Sequence, residues 1–332
     1  MSRPKNRPRI FVTQPVCDSA TKRLRALGSV KIFPDDSRIM PKPKLIAAVK
    51  KCDILFCLLH DKIDRDVVAA NPKLRHIAAQ SISPSNIDVA EATARKIPVT
   101  VVPPVTTEAT ADLTFGLMLA VARRMLEGDR LVRAGKFPGG QSRHLLGAYV
   151  WGKTIGLVGG GGLIGKAVAR RAHGFGMRVL YWTPRRKSES EEREAGLTFV
   201  PLDELFRESD FVSLHSPLNA TTRHQIGARE LGLMKKSAFI INTARGAIID
   251  EAAMVRALKR KQIAGAGLDV FEHEPRVHPE LKQMKNVVIV PHLGSATFEV
   301  RDEMANIVVD NIEALLKGRR PSNIVNPEVL AS

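Results

Sequence analysis

The chain has 332 residues, 44% of them hydrophobic, and 51 Lys and Arg against 34 Asp and Glu give a formal net charge of +17. That length predicts about two domains with a sizeable core, and no apolar run reaches the ~18–20 residues needed to cross a bilayer. Aromatics at only 5%, scattered cations and the lack of a recognised nucleic-acid-binding motif argue against a nucleic-acid partner, so the basic surface is expected to steer anionic ligands toward a cleft.

Met1–Arg9 is basic and Pro-rich without an apolar h-region, so a loose tail is expected rather than a secretory signal. Arg9–Gln14, Val30–Phe33, Ile54–Leu58, Leu74–Ala79 and Val99–Val102 read as strands with amphipathic stretches between them. This alternation predicts a parallel sheet. Cys17, Cys52 and Cys57 match no disulfide or zinc spacing, which predicts reduced core thiols in a cytoplasmic protein without a metal. A long helical pattern runs from about Thr107 to Ala134 and is closed by Gly135-Lys136-Phe137-Pro138-Gly139-Gly140. A second α/β unit spans about Gly152 to His292, with later strands at Phe211–Leu214, Ala238–Asn242, Gly265–Val270 and Val287–Val290. A last helix, about Ala296–Lys317, follows it. An inserted domain explains this order: residues 107–295 set into a first domain made of 1–106 plus 296–332. The fold class is then α/β, two Rossmann- or flavodoxin-like parallel-sheet domains with the site in the cleft between them.

The second unit opens on the most informative stretch, Ile155–Gly165. A short apolar run leads into four glycines and then a helical pattern from Leu163-Ile164. Gly160, Gly162 and Gly165 fit G-x-G-x-x-G, and the additional Gly159 leaves open which residue takes the first place. Such a turn brings backbone close to a pyrophosphate and aims a helix amino terminus at it. A dinucleotide site is therefore predicted, against the plainer reading of a glycine-rich turn. The next strand, Arg178–Trp182, runs into Thr183-Pro184-Arg185-Arg186-Lys187, with Thr183 where NAD-binding chains carry a carboxylate. A carboxylate would repel a 2′-phosphate, whereas arginine binds one in a fork. The loop thus predicts NADP(H) over NAD(H), with Arg185 and Arg186 as the phosphate-binding cations.

Three strands of this unit end in unusual chemistry. One reaches Asn242-Thr243-Ala244-Arg245-Gly246, another Asp269-Val270-Phe271-Glu272-His273-Glu274-Pro275, and a third Pro291-His292-Leu293-Gly294-Ser295. Carboxyl ends of parallel strands line the ligand crevice, so Arg245, Glu274 and His292 are expected to converge. The trio suits reduction of a 2-keto acid. Arg245 would bind the carboxylate and carbonyl, His292 would donate the proton, and Glu274 would orient the imidazole. Each also has a plainer reading: a surface ion pair, a solvated acidic loop, a loop histidine. His273 is the nearest rival to His292.

Together these blocks resemble the signatures of the D-2-hydroxyacid dehydrogenases, and Thr107–Leu117 is similar to that family's interdomain helix. The resemblance covers most of the chain and lies nearest the glyoxylate/hydroxypyruvate reductase branch. A Gln in place of Glu274 would mark the formate dehydrogenase branch. It implies an oxidoreductase with an Arg–Glu–His site and usually a homodimer built on the cofactor domains. It also implies cofactor contacts at Gly160, Gly162, Leu163, Ile164, Gly165, Thr183, Arg185, Arg186, Thr243, Ala244, Asp269 and Gly294, with Asp269 near the nicotinamide amide. Substrate contacts fall at Ile82, Ser83, Arg245 and Ser295.

Two departures bear on the substrate. The family's carboxylate-holding loop reads Ile82-Ser83-Pro84-Ser85-Asn86-Ile87-Asp88 here, with Ser83 for the usual glycine and a donor lost at Pro84. The segment that closes the neighbouring subunit's site, Phe137–Gln141, lacks the Trp common in reductases. Two other functions compete with the enzyme: a dinucleotide-sensing binding protein of the same fold, and a basic nucleic-acid binder.

Overall fold

The computed structural model describes residues 7–331, which fall into two compact units, residues 7–105 with 297–331 and Thr106–Ala296. Six of the nine residues of the expected amino-terminal tail lie outside the described residues. Arg7 is already anchored, its guanidinium donating to the carbonyls of Arg25 and Ala26 at 2.6 and 2.8 Å.

The first unit holds five parallel strands, β1 (Arg9–Val12), β2 (Ser29–Ile32), β3 (Ile54–Leu58), β4 (His76–Gln80) and β5 (Val99–Thr100), in the order β2-β1-β3-β4-β5. The central strands are continuous buried runs because both sheet faces are covered. Leu55, Ile77 and Ala79 face a layer with Leu45, Val67 and Val68. Phe56 and Ala78 face Met304, Val308 and Ile312 of the helix Phe298–Leu316. The chain therefore leaves this unit after Val105 and returns to it at Thr297.

The second unit is a seven-stranded parallel sheet: β6 (Thr154–Val158), β7 (Arg178–Trp182), β8 (Thr198–Phe199), β9 (Phe211–Leu214), β10 (Phe239–Asn242), β11 (Gly265–Leu268) and β12 (Val287–Ile289), ordered β12-β11-β10-β9-β6-β7-β8. The chain builds outward from β6 to β8, then returns to lay β9 on the other side of β6. The gap between β6 and β9 is the topological switch point, where such sheets bind ligands. The edge strand β8 is only two residues long, too short for a sequence pattern.

The long helix expected over Thr107–Ala134 is two helices, Thr107–Ala122 and Met125–Arg133. The break falls at Arg124, whose φ is +53°, a conformation no right-handed helix continues through. Its cause lies downstream. The N–H of Ala148 donates to the Ala122 carbonyl at 2.8 Å, taking the acceptor a continuing helix would use. Arg124 itself grips Glu127 with two bonds of 2.8 and 2.9 Å. All three cysteines are free thiols, and burial pushes that of Cys52 up to about 12. Among the described residues no helix is long and apolar enough to cross a membrane.

Candidate active site

At the end of β6 the backbone turns through Gly159, at φ +84°. A Cβ there would lie 2.7 Å from the backbone of His215 and Ser216, which follow β9. Only glycine serves at such a crossing. The left-handed position is thus the additional glycine, one residue before the motif. Gly162 is the N-cap of the helix Leu163–Gly174. Gly165 meets Gly160 so closely that a Cβ on it would sit 2.5 Å from the Gly160 Cα. The N–H groups of Leu163 and Ile164 find no acceptor among the described residues. A glycine cradle with open helix N–H groups fits a pyrophosphate.

The tip of β7 carries no carboxylate. Thr183 donates its hydroxyl to the Arg185 carbonyl at 2.7 Å. Arg185 is exposed and makes no ion pair among the described residues. Arg186 is engaged: its Nε and Nη2 each donate to Glu192 at 2.8 Å, and its guanidinium lies over the Phe199 ring. Tyr181 donates to the same carboxylate at 2.7 Å. Arg186 and Tyr181 together hold the Glu192 carboxyl down at about 2.

Arg245 follows β10. Asn242 sets its turn, accepting the Ala244 N–H and donating to the Arg245 carbonyl, both at 3.0 Å. Thr243 shares a 2.9 Å hydrogen bond with Thr114 of the helix Thr107–Ala122. Gly246 then lets the end of β11 approach: a Cβ on it would lie 1.9 Å from the Phe271 carbonyl carbon. That approach puts Arg245 in the field of Glu274. Burial lowers the Arg245 guanidinium below its usual range, and the Glu274 carboxylate opposes the shift.

Glu274 is fixed at both oxygens. Oε1 accepts the Phe271 N–H, and Oε2 lies on His292 Nδ1, each at 2.9 Å. A carboxylate only accepts, so the imidazole donates from Nδ1. Glu274 and His292 side chains are 20% and 18% exposed, dry enough for a strong pair and open enough to meet a ligand. The three sequence-expected groups thus meet at the carboxyl edge of β10, β11 and β12.

The family model "D-isomer specific 2-hydroxyacid dehydrogenase, NAD binding domain" matches residues 115–294. A glyoxylate reductase of Thermococcus litoralis is 46% identical over 98% of this chain and 99% of its own. This chain belongs to the D-isomer-specific 2-hydroxyacid dehydrogenases. Solved structures agree. A glyoxylate reductase from Paecilomyes thermophila superposes with TM-score 0.81 at 32% identity, over 97% of this chain and 99% of that one. An NADPH-dependent glyoxylate/hydroxypyruvate reductase from Sinorhizobium meliloti, in complex with NADP and malonate, gives TM-score 0.81 at 31% identity, over 97% of each chain. The chain is therefore an oxidoreductase with a nicotinamide-dinucleotide-binding domain.

In this dehydrogenase Asp269 has a role that linear reading missed. It is buried, and its two carboxylate oxygens accept the N–H groups of Leu293 and Gly294. Gly294 is further held through its carbonyl by the Thr110 hydroxyl at 3.0 Å. No local signal marks this, because the partners lie 24 and 25 residues away. Ser295 follows, half-buried. The rival His273 stays outside the trio, its side chain 70% exposed beside Glu272.

In the other unit, the Ile82–Asp88 loop is tied to the turn after β3. Asn86 Nδ2 donates to the carbonyls of Leu58 and Asp61 at 3.0 and 2.8 Å. Ser83 is half-buried, and its carbonyl accepts the Ser81 hydroxyl at 2.8 Å. Ile82 is exposed.

Proposed function

We propose that this dehydrogenase reduces a small 2-keto acid, glyoxylate or hydroxypyruvate first, to the D-2-hydroxy acid with NADPH, as a cytoplasmic homodimer. The observation that carries the reading is the 2.9 Å contact of Glu274 with His292 Nδ1, which commits Nε2 to proton transfer. The names of the glyoxylate reductase relatives support the keto acid. Thr183 and Arg185 at the tip of β7 support NADP(H), as does the neighbour bound to NADP.

The dinucleotide, when bound, supplies the two electrons that reduce the keto carbon. Gly160, Gly162, Leu163, Ile164 and Gly165 would hold its pyrophosphate, Thr183 and Arg185 its ribose phosphate, and Thr243, Ala244, Asp269 and Gly294 the nicotinamide end. Arg245 binds the substrate carboxylate and polarises the carbonyl with a half-buried guanidinium. Ile82, Ser83 and Ser295 complete the substrate pocket. His292 Nε2 delivers a proton to the forming alkoxide, and Glu274 steadies the ring in both protonation states.

The homodimer reading rests on one stretch of the second unit. Met125, Val132, Phe137, Leu146, Tyr149 and Trp151 are all more than half exposed, an apolar set that a monomer seldom leaves in water. Light scattering on the purified protein checks it, and a monomer at working concentration refutes it. The activity is tested by following oxidation of NADPH and NADH, in parallel, with glyoxylate, hydroxypyruvate and bulkier 2-keto acids. Turnover with NADPH and a small acid is expected. Faster use of NADH overturns the cofactor preference. Silence with every acid despite dinucleotide binding replaces the enzyme with a sensing protein of the same fold.

A further inference from the structure

Beside the Arg186–Glu192 pair sits a second ionic cluster with a different geometry. Glu191 Oε1 accepts Lys166 Nζ at 3.0 Å and lies 3.4 Å from Lys187 Nζ. Two cations from two elements share one carboxylate oxygen. Lys166 stands in the first turn of the helix Leu163–Gly174, beside the open N–H groups of Leu163 and Ile164. Lys187 lies across the glycine turn, where a Cβ on Gly161 would meet its Cε at 2.9 Å and its Cγ at 3.0 Å. Thr183 Cγ2 borders the same space at 3.3 Å. The cluster therefore fills the ground between the glycine turn and the tip of β7.

A ribose lying from that turn toward the β7 tip would present its 2′-substituent there. The cations suit a phosphate monoester better than a carboxylate, because the phosphate carries more charge and one more acceptor oxygen. Arg186 is committed by two bonds to Glu192, a carboxylate only 10% exposed, whereas Lys166, Lys187 and Glu191 side chains are all about one-third exposed. Partly exposed pairs of this kind are weak and exchange readily.

We infer that Glu191 stands in for the 2′-phosphate of NADP(H), and that binding displaces it to free Lys166 and Lys187 to grip the phosphate alongside Arg185. Glu191 is then a specificity residue that competes with the cofactor, and Lys187 takes the part the linear motif gave to Arg186. The bonds from Lys166 and the Ser188 backbone, which hold the Glu191 carboxyl down at about 2, keep it charged and competing at every working pH. This inference deepens the NADP(H) reading above.

The test is calorimetric titration of the intact protein with 2′,5′-ADP and with 5′-AMP, which lacks the 2′-phosphate. Glu191→Gln is the main variant. It removes the charge and keeps the N3 amide that closes the capping box with Ser188. It is expected to tighten 2′,5′-ADP roughly three- to tenfold, the range for removing two partly exposed competing ion pairs, and to leave 5′-AMP unchanged. Lys187→Gln is expected to weaken 2′,5′-ADP and to diminish the gain when combined with Glu191→Gln. Unaltered or weaker 2′,5′-ADP binding by Glu191→Gln, with a wild-type circular dichroism spectrum, overturns the inference. Should Glu191→Gln fold poorly, the same comparison on Lys187→Gln decides, and no loss of 2′,5′-ADP affinity overturns it. Wild-type protein that binds 5′-AMP as tightly as 2′,5′-ADP refutes the NADP(H) preference, while the response of Glu191→Gln still judges the displacement by itself.

Discussion

Asp269 holds His292 by the backbone. Its carbonyl accepts the His292 N–H at 2.9 Å, and its carboxylate accepts the next two N–H groups, of Leu293 and Gly294. His292 sits at φ +56°, in the left-handed region that a side chain with a Cβ seldom adopts. Local preference opposes this loop, and a carboxylate from the neighbouring strand end imposes it.

Asp269→Asn tests that relationship. One oxygen of the pair becomes a donor and faces an N–H it cannot accept. With His292 as the proposed proton donor, turnover is expected to fall on the order of a hundredfold as its ring is displaced, while the affinity for the ribose-phosphate half of the cofactor holds. Stopped-flow rates beside a 2′,5′-ADP titration measure both. A kcat within twofold of wild type would show that the loop keeps its shape without Asp269.

In the proposed mechanism His292 and Glu274 divide the work of proton transfer differently. His292→Ala is expected to cost a hundred- to ten-thousandfold in kcat, the usual span for a lost general acid, with dinucleotide binding intact. Glu274→Gln keeps an oxygen for Nδ1–H or for the Phe271 N–H, and leaves the imidazolium without its counter-charge. A smaller kcat loss is expected, with a changed pH–rate profile. An unchanged profile would remove Glu274 from the mechanism.

Two glycines make a matched stability test. Gly246→Ala would drive a Cβ to 1.9 Å from the Phe271 backbone, and rigid backbone cannot retreat as a side chain can. A loss of about 1–3 kcal/mol or more is expected. Gly116→Ala, in the helix Thr107–Ala122 with nothing within 4 Å of the new methyl, is expected to gain about 0.5–1 kcal/mol. Urea denaturation of both variants checks the pair, and equal effects would contradict the packing described.

Glu192 gives a pH prediction with a definite sign. Arg186, and then Tyr181, hold its carboxyl at about 2 in the folded protein, against an ordinary value of 4.5. A depressed carboxyl contributes stability that is present above its unfolded pKa and lost as pH falls through the folded one. Glu192→Gln should therefore be less stable than wild type at neutral pH, and the difference should shrink as pH falls from about 4.5 toward 2. A difference that is constant between neutral pH and pH about 3 would show that the ion pair contributes nothing.

The sequence by itself determined the parallel α/β class, the glycine turn, the missing carboxylate at Thr183 and the trio of Arg245, Glu274 and His292. Each is a local pattern: apolar alternation, glycine spacing, or a charged residue just past a buried strand. Parallel topology then delivers strand ends to one edge, so a linear list of such ends is already a list of neighbours. Only the tertiary structure decided the rest. Ala148 took the Ala122 carbonyl and broke the long helix at Arg124. Glu192 captured Arg186, and Lys187 came to lie across the glycine turn. Asp269 spent its carboxylate on the backbone beside His292, and two residues sufficed for β8. For Ala148 and Asp269 the partners lie more than twenty residues away, and geometry settled the choice by placing one group within reach of the other.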